Sequence, residues 1–227
     1  MKALDHLVVA ARTLDEGVAW CEATLGLTPG PGGEHAFMGT HNRLFSIASA
    51  RFERAYFEII AIDPKAARPG RVRWFDLDSP ALQRTLATGP RLVHWVARCD
   101  DVHAGVARLR AAGIEPGDVQ RAERQTARGT LRWRITVRAD GRRLYNGALP
   151  TLIQWSGAHP ADALPGSGVA LESIEVSGLP ADARAMLPAQ VDTGVDVGAA
   201  RLCVALSTAR GPVVLQSPDI EVPHGQP

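Results

Sequence analysis

The chain repeats itself at a spacing of 88 residues, and this repeat limits its fold more than any other feature of the sequence. His6 stands in an apolar run, LDHLVVAA, that alternates like a strand, and His94 stands in a second such run, RLVHWVAR. At the same offset an identical Gly-Val-Ala triplet begins at Gly17 and at Gly105. Self-similarity at a fixed period indicates repeated structural units.

Each copy begins with a strand, continues with a helix and ends in further strands. In the first copy Thr13 is a candidate N-cap, Glu16 completes a capping box and Gly26 ends the helix. TPGPGGEHAFMG then predicts a loop, and Leu4, His6 and the alternating residues after them are expected on one face of the first strand. The remaining strands are predicted in NRLFSIAS, AYFEIIAID, PGDVQRA, TLRWRITVR and PTLIQWS.

A shorter third copy begins at GVALESIEVS, where Ser173 takes the place of His6. A helical stretch around DARAMLPA follows, and the turn ARG joins two further strands. The predicted organisation is a first βαβββ module at 1–63, a linker with a short helix at 64–90, a second βαβββ module at 91–160, a third, partial module at 161–217 and a tail at 218–227.

Charge and cysteine content restrict the class of partner. With 25 basic and 24 acidic residues the net charge is +1, which gives no electrostatic case for nucleic acid or an anionic membrane. Cys21, Cys99 and Cys203 are odd in number and far apart, which argues against a disulfide framework and suits a reducing cytosol. No apolar run approaches the about 20 residues of a membrane span. We expect a cytoplasmic monomer or homodimer whose partner is a small molecule.

The duplicated βαβββ unit resembles the vicinal oxygen chelate superfamily, and within it the glyoxalase-like domain family. The residues that carry the resemblance lie within 3–160 and are, in order, LDHLVVAARTLDEGVAW, HAFMGTHNRLFSI, YFEIIAID, LVHWVARCDDV, LRWRITV and GALPTLIQW followed by His159-Pro160. The resemblance implies an α+β fold in which paired modules form an open, cup-like barrel around a ligand cleft. It leaves the activity open, because one fold hosts many functions.

The resemblance also implies candidate metal ligands. In metal-using members of the superfamily the ligands come from the first and last strands of each module, and those positions hold His6, Glu58, His94 and Thr151 here. Two imidazoles and a carboxylate would suit a divalent Zn, Ni, Fe or Mn ion with room for two vicinal substrate oxygens. Thr151 departs from the pattern, since glyoxalase I-type and extradiol dioxygenase-type enzymes have a glutamate there.

Two interpretations of the cleft stay open. As an enzyme the chain would be a lyase, isomerase or dioxygenase, in which His6 and Glu58 hold the metal with His94 or act directly as catalytic acid and base. As a metal-free binding or sequestration protein it would retain a small, partly apolar ligand without a reaction. The first interpretation requires the three side chains to converge, and the second predicts a Glu58 that protein hydrogen bonds already satisfy.

Further candidates for substrate binding border the expected cleft. Thr40 and Asn42 offer hydrogen-bonding groups, and Trp155 shares a strand face with Thr151 and would form an apolar wall. Arg132 would meet a substrate carboxylate, with a solvated edge charge as the alternative. The other arginines between residues 121 and 138 are interpreted as a solvated loop and strand edge rather than a binding patch.

Overall fold

The computed structural model describes residues 1–194 and 198–220, so the predicted tail lies outside the described residues from 221 onward. The first module contains β1 (Ala3–Ala10), α1 (Leu14–Leu25), β2 (Gly30–His35), β3 (Thr40–Ser46) and β4 (Tyr56–Ile62). After α2 (Pro80–Leu86) in the linker, the second module contains β5 (Arg91–Arg98), α3 (Val102–Ala111), β6 (Asp118–Thr126), β7 (Gly129–Val137) and β8 (Thr151–Ser156). The third contains β9 (Ala170–Ser177), α4 (Ala181–Arg184), β10 (Asp192–Thr193), β11 (Arg201–Thr208) and β12 (Gly211–Gln216).

The two modules form one eight-stranded sheet in the order β2-β3-β4-β1-β5-β8-β7-β6. The first strands of the modules, β1 and β5, are antiparallel neighbours at its centre, and each lies parallel to the last strand of its own module. The edge strands β2 and β6 approach each other, so the sheet curls into a nearly closed barrel. This arrangement confirms the predicted α+β fold of paired βαβββ modules.

The predicted loop at residues 28–39 is wrong, because β2 lies within it and pairs with β3. Its sequence, GPGGEH, lacks the period-two pattern of a strand. Gly32 and Gly33 stand at positions where a side chain would collide with residues of the neighbouring strands. A Cβ atom on Gly33 would lie 2.5 Å from Cδ of Arg124, which arrives from β6. The glycine therefore allows the barrel to close at this edge.

The helices begin where the sequence indicates. Thr13 caps α1, its side chain accepting a hydrogen bond from the Glu16 amide at 3.2 Å, and Gly26 ends the helix with a left-handed φ of 76°. In the second module Asp101 caps α3 in the same way and accepts from the amides of two residues in its first turn. The short helix predicted in the linker at 64–90 is α2, which follows Ser79.

A bulge in β1 reverses the predicted alternation at the start of the strand. Leu4 pairs with Ala97 and His6 pairs with Val96, so Asp5 is the extra residue. Leu4 consequently packs in the core formed with α1, α3 and the third module, whereas His6 lines the interior of the barrel. The prediction that Leu4 and His6 share a face is wrong for this reason.

The third module forms a separate four-stranded sheet in the order β10-β9-β11-β12. Its buried side chains, among them Leu171, Ile174 and Leu202, belong to the same core as the apolar faces of α1 and α3. The Leu171 amide donates to the Ile47 carbonyl at 3.0 Å, which ties β9 to the first module. The third module therefore covers the outside of the barrel within one chain. No helix among the described residues is long and apolar enough to cross a membrane.

The linker contributes to the barrel interior before α2 begins. Trp74 and Phe75 are buried there, and Phe75 and Asp76 both have left-handed φ angles, of 59° and 60°. Asp76 accepts a hydrogen bond at 2.7 Å from Nε of Arg143, which is also buried. This ion pair holds the strained segment in place.

Replacing Asp76 by asparagine is expected to lower the free energy of unfolding by about 3 kcal/mol, because the buried guanidinium of Arg143 loses its counter-charge. Asp118→Asn is the matched control, since Asp118 is exposed and lies 3.5 Å from Arg110, and exposed pairs contribute less than about 1 kcal/mol. Urea denaturation at neutral pH measures both changes. Equal losses in the two variants would show that the buried pair does not stabilise the linker.

Candidate active site

A fully buried carboxylate, that of Asp5, organises the site. Its Oδ1 accepts from Nδ1 of His6 at 2.8 Å, and its Oδ2 accepts from Nε1 of Trp155 at 3.0 Å and Nε2 of His159 at 2.9 Å. Burial alone would raise the pKa of Asp5, but the hydrogen bonds from His159 and His6 outweigh burial and hold this pKa well below its ordinary value.

The ionised Asp5 fixes the orientation of His6. Because a carboxylate only accepts, Nδ1 of His6 carries a proton, and Nε2 points at Oε2 of Glu58, 3.6 Å away. Tyr56 stacks on the imidazole with ring centroids 4.5 Å apart, which restricts rotation of the ring. The Ala161 amide donates to Nδ1 of His159, so that ring places its proton on Nε2, towards Asp5.

Glu58 is held from the other side by Asn42. Nδ2 of Asn42 donates to Oε1 of Glu58 at 2.6 Å, while Oδ1 of Asn42 accepts from the Gly33 amide at 2.8 Å and from Nη1 of Arg124 at 3.2 Å. These contacts define which way the amide points. One oxygen of Glu58 is thus fixed by Asn42, and the other faces His6 beyond hydrogen-bonding distance.

His6, Asn42, Tyr56 and Glu58 line one cleft inside the barrel, whose empty volume of about 430 Å³ includes space open to solvent. Its remaining walls are largely apolar and include Leu44, Phe75, Trp133, Ile135, Ile153 and Trp155. His6, Glu58, Asn42 and Trp155, all predicted from the sequence, meet at this cleft. Thr40 supports it from behind, where its hydroxyl hydrogen-bonds to Nδ1 of the buried His35 at 3.1 Å.

His94 and Thr151 line a different cavity, together with Arg143. The Thr151 amide donates to Nε2 of His94 at 3.1 Å, and Nδ1 of His94 lies 3.3 Å from the Gly147 carbonyl oxygen. Burial, together with the positive charge of Arg143, lowers the pKa of His94 to about 3, so the ring is neutral.

The predicted metal site does not fit this arrangement. The nitrogen lone pair that His94 would offer to an ion accepts the Thr151 amide, and only His6 and Glu58 of the predicted ligands meet. Within residues 1–194 and 198–220 no three histidine, cysteine, aspartate or glutamate side chains are placed to hold a metal ion. The predicted ligands His6, Glu58 and His94 therefore do not form a site for a Zn, Ni, Fe or Mn ion.

Arg132 does not reach the cleft, and Arg124 does. Arg132 is exposed and donates from Nε to Glu123 at 3.1 Å, which is the solvated edge charge considered as the alternative. Arg124 lies among the arginines interpreted as a solvated edge, but it lines the cleft beside Asn42. The interpretation of that arginine run is wrong for this residue, because barrel closure turns it inward.

Asp5 is a site residue that the sequence reasoning missed. Strict alternation places it on the face opposite His6, and only the bulge brings both side chains to the same site. An available signal was a charged residue inside an apolar strand, since a buried carboxylate needs partners.

Comparison with known proteins places this paired-module fold among the glyoxalase-like proteins. Residues 4–190 match the glyoxalase-like domain family, and the chain belongs to this family. A hypothetical protein from Staphylococcus aureus is 15% identical, with a TM-score of 0.57 over 94% of this chain and 84% of that chain. No curated protein matches the chain.

Two further solved structures match a smaller part of the chain. A variant of methylmalonyl-CoA epimerase from Streptomyces coelicolor, in complex with 2-nitronate-propionyl-CoA, is 21% identical, with a TM-score of 0.41 over 70% of this chain and 99% of that chain. Methylmalonyl-CoA epimerase from Mycobacterium tuberculosis is 18% identical, with a TM-score of 0.39 over 71% and 91%.

Lowering the pH from 7 to 5 is expected to destabilise the protein through its buried neutral histidines. The pKa of His94 is about 3 in the folded chain against an ordinary value of 6.5, so between these values only the unfolded chain takes up the proton. Its stabilising contribution is complete above about pH 6.5 and is lost as the pH falls towards 3. At pH 5 the loss is about 2 kcal/mol.

Between pH 7 and pH 5 the variant His94→Gln should therefore lose about 2 kcal/mol less unfolding free energy than the wild type does. His103→Gln is the control, since His103 is exposed on α3 and its replacement should leave the pH dependence unchanged. Urea denaturation at both pH values measures the difference. An unaltered pH dependence in His94→Gln would show that His94 does not resist protonation in the fold.

Proposed function

We propose that the chain catalyses proton transfer on a small substrate, as an isomerase or lyase in which His6 and Glu58 act as acid and base. One observation carries this proposal: the buried Asp5 carboxylate holds Nδ1 of His6 and thereby presents Nε2 beside the outer oxygen of Glu58. The pair stands at the wall of the cleft, where a substrate would meet both groups.

The chemistry follows from the succession of Asp5, His6 and Glu58, in which each side chain faces the next. A carboxylate on one ring nitrogen of a histidine favours the imidazolium that forms when the other nitrogen takes a proton. Glu58 removes a proton from a carbon next to a substrate carbonyl, and the electron pair of that C–H bond moves into the carbonyl to give an enolate. The proton on Glu58 then passes to Nε2 of His6, and the imidazolium formed in this way gives it to a second position of the enolate, which completes an isomerisation and restores both groups.

The apolar walls support this role. Leu44, Ile153 and Trp155 limit access of water to the reacting groups, and a charge that develops in such surroundings interacts more strongly with nearby dipoles than it would in water. The same walls favour a small and partly apolar substrate.

A second candidate function, binding without reaction, is favoured by one contact. Oε1 of Glu58 already accepts a 2.6 Å hydrogen bond from Asn42, as expected for a cleft whose carboxylate is satisfied by the protein. In that case the cleft would hold a small ligand, and His6 would only hydrogen-bond to it.

Deuterium exchange distinguishes the two functions. Wild-type protein is incubated in D₂O with a panel of 2-oxo and 3-oxo acids, and loss of the C–H signal next to the carbonyl is followed by NMR. His6→Gln and Glu58→Gln should each lower the catalysed exchange by about 100-fold or more, because each removes a group that transfers the proton.

His103→Gln and Glu53→Gln are the matched controls, since both residues are exposed and their replacement should leave the exchange rate unchanged. Binding of panel members to the wild type without any exchange would reject the catalytic proposal and favour the binding function. Equal exchange in wild type and in both site variants would reject His6 and Glu58 as the acting groups.

A further inference from the structure

We propose that Arg124 binds a carboxylate of the substrate, so that the cleft selects small monoanionic carboxylic acids. This inference rests on the proposed function, because it names the class of compound on which His6 and Glu58 would act. It assigns to Arg124 a role in substrate specificity that is separate from proton transfer.

The position of Arg124 gives the first argument. It lies on β6, an edge strand of the sheet, at the point where that edge meets β2. Gly33 on β2 leaves the space that the side chain crosses, since a Cβ there would lie within 2.5 Å of its Cδ. The guanidinium therefore reaches Asn42 and the cleft instead of extending into solvent.

The charge of Arg124 gives the second argument. Arg124 forms no ion pair with any described residue, and its buried Nε has no hydrogen-bond partner in the described part of the chain. Arg134 on the neighbouring strand β7 also has a buried Nε without a partner among the described residues, but it does not line this cleft. A cation that enters a largely apolar cleft with donors to spare is a site for an anion.

The surroundings of Arg124 decide which anion fits. His35, beside Asn42, has its pKa lowered to about 3, by burial first and by the charge of Arg124 as well, so it adds no second positive charge. Glu58 contributes negative charge on the far side of Asn42. A planar monoanion that accepts two hydrogen bonds from a guanidinium meets these conditions better than a phosphate dianion, which Glu58 would repel.

The link through Asn42 connects anion binding to the reaction. Oδ1 of Asn42 accepts from Arg124, and Nδ2 of the same amide donates to Glu58. A carboxylate bound to Arg124 would therefore stand one side chain away from the base, so that the neighbouring carbon of the substrate could lie over Glu58 and His6. Positioning of this kind is a large part of enzymatic rate enhancement.

Two probes of nearly equal shape test the proposal. The acid 4-fluorobenzoate and its neutral amide, 4-fluorobenzamide, are titrated against the full chain, and binding is followed by ¹⁹F NMR. Wild type should bind the acid more tightly than the amide. Arg124→Gln should weaken binding of the acid by about tenfold or more and leave the amide unchanged. Arg128→Gln removes the same charge from the exposed β6–β7 turn and should change neither.

Competition with inorganic phosphate and with acetate at neutral pH shows whether the site prefers a phosphate or a carboxylate. Phosphate should displace the acid from wild type less effectively than acetate does, and preferential displacement by phosphate would replace the carboxylate assignment by a phosphate site. Equal affinity of wild type for acid and amide, or unchanged affinity for the acid in Arg124→Gln, would overturn the proposal.

The same variants keep this proposal distinct from the proposed function. His103→Gln should bind 4-fluorobenzoate as wild type does, since His103 is exposed on α3 and does not line the cleft. If Arg124→Gln retains acid binding while the deuterium exchange still depends on His6, the anion site fails and the catalytic function stands. If acid binding depends on Arg124 but no deuterium exchange occurs, the anion site stands and the catalytic function fails.

Discussion

The burial of the Asp5 carboxylate is the constraint on which the rest of the site depends. An ionised carboxylate removed from water is stable only when its oxygens are fully hydrogen-bonded. The three side chains that donate to Asp5 come from β1, from β8 and from the segment after β8, and are His6, Trp155 and His159. Both modules must therefore dock correctly before the charge is satisfied, and the same docking directs Nε2 of His6 at Glu58.

The sequence predicted the parts of this site that follow from the repeat, and it missed those that depend on local irregularity. His6 and Glu58 meet because β1 and β4 pair in parallel, as their equivalent places in a βαβββ unit require. Asp5 could not be found by alternation, because one extra residue in β1 changes the face on which it lies. A bulge of this kind leaves no mark in a pattern of apolar and polar residues.

Barrel closure explains a second gap between sequence and structure. Arg124 and Arg132 occur in one arginine-rich stretch, and nothing in their sequence neighbourhood separates a cleft residue from an exposed one. The difference arises where β6 meets β2. The glycine-rich sequence of β2 predicts a loop, so this meeting of two edge strands was not expected. Contacts between edges that are distant in sequence depend on the curvature of the whole sheet, and local propensity does not report that curvature.

The two copies of the repeat have diverged in charge, and this divergence confines the proposed chemistry to one half of the barrel. His6 follows an ionised aspartate and faces a glutamate, whereas the residue before His94 is Val93 and its partner on the last strand is Thr151. In the proposed reaction the first imidazole gains and loses protons, whereas burial and the charge of Arg143 lower the pKa of the second and keep it neutral. A substrate that reacts at His6 would meet charged groups at Glu58 and Arg124 and apolar walls elsewhere. Its reacting carbon would be positioned by the first module, and its carboxylate by Arg124 on β6, the edge strand that approaches β2 of the first module.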